Sequence, residues 1–176
     1  MVKISLFHRY GEKLGGDKMY KNILVAISHS SNSHDLFEVG LNLALKHNAQ
    51  MTLCHIKNLR YIVPNFLNEG IYLPQDIVYL ETNDGIEEIL NKYKDEALKK
   101  GISKIDVVVT ASSTPALAIT NVVAKGYDCD LIVCGSSSSK GILKKIFGNV
   151  TTEIVKNAPC DVLVVKNIEK NNEVNN

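Results

Sequence analysis

No cysteine pair at CxxC spacing, no long apolar run and no excess of either charge occurs in this 176-residue chain. Each absence excludes something. Four cysteines, at 54, 129, 134 and 160, are too few and too scattered for a disulfide scaffold or a thiolate metal site. Cys54 and Cys134 sit inside apolar strand-like runs, where cysteine behaves as a small hydrophobe, so reduced core thiols are expected. A formal charge of +1 gives no global field to gather nucleic acid or an anionic membrane surface, and neither is expected as a partner. No run approaches the roughly 18 apolar residues of a spanning helix. The N-terminus lacks the basic flank, apolar core and cleavage site of a signal peptide, which makes the cytoplasm the expected compartment. There is also no GxxxxGK[ST], so a Walker A phosphate loop is excluded.

What is present is 45% apolar and 22% charged, the composition of one soluble domain with a filled core. Residues 1–18, with Gly11, Gly15 and Gly16 among scattered charges, read as an appendage without helix or strand period; Met19 is a candidate natural initiator. Residues 167–176 read as a polar tail. Between them, strand-like and helix-like stretches alternate, the pattern of an open parallel sheet with helices on both faces. Five Val- and Ile-rich runs are expected as strands buried on both faces: Ile23 to Ile27, Met51 to Ile56, Ile105 to Val109, Leu131 to Cys134 and Val162 to Val165. Helices are expected from Ser33 as cap to about His47, from about Asp84 to Lys100 with a stop at Gly101, from a Thr114 cap and Pro115 to near Gly126, and from Asn149 to Asn157 before Pro159. The stretch from Asn58 to Tyr79 is long for a connection and rich in Tyr, Ile, Leu and Phe, which suggests a lid or a partner-contacting segment.

In an open parallel sheet, ligands collect beyond the carboxyl ends of the strands. The residues there are Ser28 to Ser33 after the first strand, His55 and Ile56 at the end of the second, and Gly135 to Gly141 after the fourth, leading to Gly148, Asn149, Val150 and Thr151. Two readings fit the glycine and serine loop. It is an anion cradle, with backbone N–H groups and a helix N-terminus facing phosphate, or its glycines serve tight turns and its serines solvate a loop. Lys140, Lys144 and Lys145 either add charge nearby or are merely solvated. His55 stands alone without a second ligand at metal spacing and reads as a packing residue, while His29 is a weak nucleotide contact.

Gly135 through Lys166, with its glycine loop, short helix, Ala158-Pro159-Cys160 and closing Val162-Leu163-Val164-Val165, resembles the C-terminal half of universal stress proteins. Met19 to Ala26 resembles their first strand, and the likeness spans about residues 19 to 166. The resemblance implies an adenine-nucleotide alpha hydrolase-like α/β fold with strand order 3-2-1-4-5. Members that bind ATP carry glycine, two residues, glycine, nine residues, then glycine followed by serine or threonine. Gly135 and Gly148 match; Ser138 replaces the second glycine, Asn149 the hydroxyl residue, and Ser28 the usual aspartate after the first strand.

By resemblance, adenine and ribose contacts fall to Ser28 and the backbone of Ile56, and phosphate contacts to Gly135, Ser138, Gly148, Asn149 and Val150. It implies ATP or another adenine nucleotide, with Mg as a candidate companion ion, and little or no hydrolysis. It also implies a homodimer through the last strand, Val162 to Val165, whose apolar edge otherwise exposes hydrogen-bonding groups, and a further protein partner of unknown identity. The alternative is a dimeric stress-response adaptor without nucleotide. A third reading, an adenylating enzyme, rests on a faint likeness of Ser28 to Ser33 to the loop of ATP pyrophosphatases; missing glycines and an asparagine in place of an acidic residue argue against it.

Overall fold

The computed structural model describes residues 2–7, 20–28, 33–61, 78–80, 85–136 and 148–167. Its centre is the expected parallel sheet. β2 (Asn22–Ala26) lies between β3 (Gln50–Tyr61) and β6 (Leu131–Gly135); β5 (Ile105–Ser112) pairs outside β3, and β7 (Asp161–Asn167) outside β6. Counting only these five, the order is 3-2-1-4-5, as the resemblance implied.

Each core strand is apolar at successive positions because each of its faces is covered. Ile23, Val25, Met51, Leu53, Leu131, Val133, Leu163 and Val165 pack with α1 (Ser33–His47) and α2 (Ile86–Lys99) in one cluster. The alternate residues Leu24, Cys54, Ile132, Cys134, Val162 and Val164 pack on the other face. There they meet α3, which runs α-helical over Pro115–Leu117, π-helical over Ala118–Val123 and α-helical again over Ala124–Gly126, and α4 (Asn149–Asn157). The alternation follows from the two-residue period of a strand. Phe37 stacks on Tyr93 with ring centroids 4.3 Å apart, joining α1 to α2. Gly40 lets α1 approach β2, because a Cβ there would collide with Val25 Cγ2.

The helix ends follow local chemistry. Gly101, at φ 106°, takes the left-handed position after α2, and the amides of Gly101 and Ile102 return to the carbonyls of Leu98 and Ala97. Gly85, at φ 108°, precedes Ile86, so α2 begins just after the expected Asp84, which lies outside the described residues. Thr114 precedes Pro115 as expected but makes no side-chain cap; instead its own amide donates to Ser112 Oγ at 3.0 Å.

Two strands were not foreseen. β1 (Val2–Phe7) lies antiparallel along β7, from Val2 opposite Asn167 to Phe7 opposite Val162. The reading of residues 1–18 as lacking strand period is corrected at Val2–Phe7, where Val2, Ile4 and Leu6 alternate with Lys3 and Ser5. The last strand is correspondingly not an open edge, since β1 takes the side of β7 away from β6. β3 also outruns its expected end, and Leu59 to Tyr61 pair antiparallel with β4 (Val78–Leu80). The rest of the Asn58 to Tyr79 stretch, 62–77, lies outside the described residues, as do 8–19 and 168–176.

Candidate functional site

The sheet order reverses at β2: the chain leaves it for β3 on one side and returns later to β6 on the other. A crevice beyond the carboxyl ends is the consequence. At the amino ends the same strands are tied shut, with the Asp130 carboxylate accepting the amides of Lys21 at 2.7 Å and Asn22 at 3.2 Å.

β2 stops before its neighbour does. Ala26 pairs with Cys54, the Ile27 amide donates to the Cys54 carbonyl at 2.8 Å, and β3 continues alone on that side. Alternate residues of a parallel strand direct their backbone groups to the same side. Cys54 faces β2, so Ile56 does too, and its amide and carbonyl are directed past the end of β2. A flat ring with one donor edge and one acceptor edge suits such a pair. His55 between them is buried, and its Nδ1 donates to the Ile27 carbonyl at 2.9 Å. That bond fixes the turn out of β2 and makes His55 a strut, in line with its reading as a packing residue. Ser28 is exposed at the mouth of the crevice, and its carbonyl accepts the Ser33 hydroxyl at the start of α1.

Across the crevice, Cys134 is the β6 partner of Ala26, which brings Gly135 level with Ile27. α4 starts beside it. The buried Thr151 donates its hydroxyl to the Gly135 carbonyl at 2.8 Å, so the first turn of α4 is bonded to the end of β6. Gly148 precedes the helix; its carbonyl accepts both the amide and the hydroxyl of Thr152, each at 3.0 Å. Helix geometry gives the amides of Asn149, Val150 and Thr151 no acceptor within α4, and they carry the positive end of its dipole. Asn149 and Val150 are exposed.

The two glycines are not explained by the fold. Gly148 has φ −68° and ψ 166°, which any residue adopts. Among the described residues, a Cβ on Gly135 would meet only Leu36 Cδ2, at an ordinary 3.9 Å. A left-handed backbone is therefore not what either position requires, and at Gly135 glycine leaves room against the backbone among the described residues.

Ser28, Ile56, Gly135, Gly148, Asn149 and Val150 thus all lie at the carboxyl end of the sheet. Ser138, His29, Lys140, Lys144 and Lys145 lie outside the described residues. Thr151, which motif reasoning left without a role, and Ser33, expected only as a helix cap, are tethering residues. Their signal was faint: hydroxyls one turn into a helix are common, and only the fold reveals which carbonyl they meet. Among the described residues no group of three or more His, Cys, Asp or Glu is placed to hold a metal ion, and no helix is long and apolar enough to cross a membrane.

The sequence model of the universal stress protein family matches residues 19–166. The chain belongs to the universal stress protein family. A Staphylococcus epidermidis protein named as a universal stress protein is 31% identical over 151 residues, covering 85% of this chain and 86% of the relative. Among solved structures, a universal stress protein in complex with cAMP superposes with a TM-score of 0.58 at 20% identity, covering 84% of this chain and 97% of the other. The Archaeoglobus fulgidus universal stress protein in complex with dAMP gives 0.55 at 18% identity, covering 85% and 100%. At such identities the structural likeness establishes the fold alone, which is the α/β fold of the family.

Proposed function

We propose that this universal stress protein binds an adenine nucleotide, with ATP as the preferred ligand, and acts as a regulatory dimer that hydrolyses it slowly or not at all. The carrying observation is the Thr151 to Gly135 bond, which holds the N-terminus of α4 against the end of β6 and focuses first-turn amides on the crevice. The backbone of Ile56 offers the adenine ring one donor and one acceptor, and Ser28 offers the ribose a hydroxyl at the rim. Gly135, Gly148, Asn149 and Val150 receive the phosphates, joined by Ser138 from the loop between them. Mg accompanies the phosphates as the solution counter-ion. The family neighbours holding cAMP and dAMP support this ligand class.

Slow turnover follows from the groups at the rim. Ser28 and Asn149 are neutral, and His55 is buried with Nδ1 committed to the Ile27 carbonyl. None of the three supplies a charged clamp or a ready general base for phosphoryl transfer. Ligand occupancy then acts as a signal, and a partner protein reads it. The expected location is the cytoplasm, where adenine nucleotides are abundant.

The adaptor reading draws on Ser28. A hydroxyl there replaces a carboxylate able to accept from two ribose hydroxyls, a loss of about 1–3 kcal/mol in affinity. Mass spectrometry of freshly purified, denatured protein separates the two. Released nucleotide, or micromolar binding by calorimetry, supports the nucleotide reading; no binding of ATP, ADP, AMP or cyclic AMP supports the adaptor. The proposed dimer through Val162 to Val165 requires β1 to give up its place along that strand.

A further inference from the structure

The four cysteines are scattered along the sequence but not in the fold. Cys54, Cys129 and Cys134 are buried in the cluster beneath α3 and α4, and Cys160 packs against that cluster from a partly exposed position. None is among the residues assigned to the nucleotide. Cys54 and Cys134 lie inside β3 and β6. Cys129 and Cys160 differ, because each stands in a turn that leads from a helix into a strand.

These two turns are side by side. α3 leads through Cys129 into β6, and α4 leads through Cys160 into β7. The two helices pack on one face of the sheet, and the two strands are parallel neighbours with Leu131 level with Asp161. Carried back one step, that register sets Asp130 level with Cys160, so Cys129 is a single residue out of step with it. Strands about 4.8 Å apart with a rise of about 3.3 Å put such α-carbons about 6 Å apart, inside the range a disulfide spans.

The two thiols also feel each other. Burial first, and the charge of Cys160 next, push the Cys129 thiol up to about 12 from an ordinary 9.0. Cys129 is therefore the shielded, protonated member, and Cys160 is the one that solvent reaches. In the reduced protein Cys129 Sγ lies 3.9 Å from the Tyr127 carbonyl and bonds the Thr52 side chain. Bridging needs that side chain to turn from β3 toward β7.

We propose that Cys129 and Cys160 form a peroxide-responsive dithiol site, in which a hydroperoxide oxidises Cys160 and Cys129 resolves the product into an intrachain disulfide. The Cys160 sulfur attacks the outer oxygen of the peroxide, the O–O bond breaks, and an alcohol (water, from hydrogen peroxide) leaves behind a Cys160 sulfenic acid. The Cys129 sulfur then attacks the Cys160 sulfur. The S–S bond forms as the S–O bond breaks, and the hydroxyl leaves with the Cys129 proton as water. Two thiols lose two electrons and two protons, and the peroxide takes up both. The bridge ties the turn after α3 to the turn after α4, and a thiol reductant releases it. This inference does not rest on nucleotide binding.

The test uses the unaltered chain, reduced and then treated in its folded state with a small excess of hydrogen peroxide at neutral pH. After denaturation, alkylation should count two thiols instead of four, and dithiothreitol should restore all four. Trypsin should release Gly126–Lys140 joined to Asn157–Lys166 from a chain of single mass. The first peptide also holds Cys134, so fragment ions must place the link at Cys129. Cys129→Ser should stop at the Cys160 sulfenic acid, which dimedone traps, and Cys160→Ser should keep its three thiols at the same dose. Four intact thiols in the treated chain, a link to Cys54 or Cys134, a link between two chains, or equal thiol loss in Cys160→Ser overturns the proposal. The deciding readout is on the unaltered chain, so it stands even where a variant fails to fold.

Discussion

The Thr151 hydroxyl donates to the Gly135 carbonyl at 2.8 Å, binding the first turn of the last helix to the carboxyl end of β6. Thr151 is buried, so the bond is shielded from water, and loss of the hydroxyl strands a carbonyl as well as removing a bond. Thr151→Val, which keeps the shape of the side chain, should destabilise the fold by about 1–2 kcal/mol in urea denaturation. Nucleotide affinity should fall several-fold in calorimetry, and Thr151→Ser should restore both. Full affinity in the valine variant would remove the tether from the account of the site.

Two glycines should respond to alanine in opposite ways. At Gly40 the new methyl meets Val25, and both residues are buried between α1 and β2. Alanine gains about 1 kcal/mol of helix propensity there, but overpacking costs about 1–3 kcal/mol, so Gly40→Ala should lower the urea midpoint or at best leave it unchanged. Among the described residues Gly135→Ala has only an ordinary contact to make, and its midpoint should stay within error while nucleotide binding weakens. A stable Gly40→Ala together with an unstable Gly135→Ala would reverse the packing argument.

The thiols predict an alkaline limb of stability. Burial pushes Cys54, Cys129 and Cys134 each up to about 12 from an ordinary 9.0. The folded state therefore keeps protons that the unfolded chain releases, and their stabilisation is complete below pH 9 and lost as pH rises from there toward 12. Each thiol contributes a slope of at most about 1.4 kcal/mol per pH unit in that window. Denaturation midpoints should be flat in this respect from pH 7 to 8 and fall at pH 10. Alkylation of the native protein at pH 8 should reach Cys160, which is partly exposed, before the other three. Early labelling of Cys54 or Cys134 would show that β3 and β6 are not closed.

His55 is a strut, and its replacement should be felt in the fold. His55→Ala removes the donor to the Ile27 carbonyl and leaves space among buried neighbours. A loss of about 1–3 kcal/mol is expected, measured by thermal or urea unfolding, whereas His55→Asn, which keeps a donor, should lose less. Equal losses would argue that volume rather than the bond matters there.

The five core strands were legible because burial on both faces writes them as unbroken Val and Ile runs, and the helices because Gly101, Pro115 and Pro159 punctuate them. β1 escaped notice for the opposite reason. Its alternation, Val2, Ile4 and Leu6 against Lys3 and Ser5, spans only six residues beside a glycine-rich stretch, and nothing local reveals that β7 lies waiting for it. The continuation of β3 to Tyr61 was hidden likewise, since Lys57, Asn58 and Arg60 interrupt the apolar pattern while Leu59 to Tyr61 find a partner in β4. At the site, glycine spacing marked Gly135 and Gly148, but motif spacing carries no distances. Which hydroxyl would close on which carbonyl depended on the register of β6 against β2 and the entry point of α4, and these are properties of the assembled sheet.

The account turns on whether the crevice between Ile56, Gly135 and Gly148 receives an adenine nucleotide. Calorimetric titration of the intact protein with ATP, set beside the same titration of Gly148→Asp, addresses it most directly. Micromolar binding by the unaltered chain, abolished when a carboxylate stands at the α4 N-terminus, is the predicted result. No heat with ATP, ADP, AMP or cyclic AMP, or binding that survives Gly148→Asp undiminished, would contradict it.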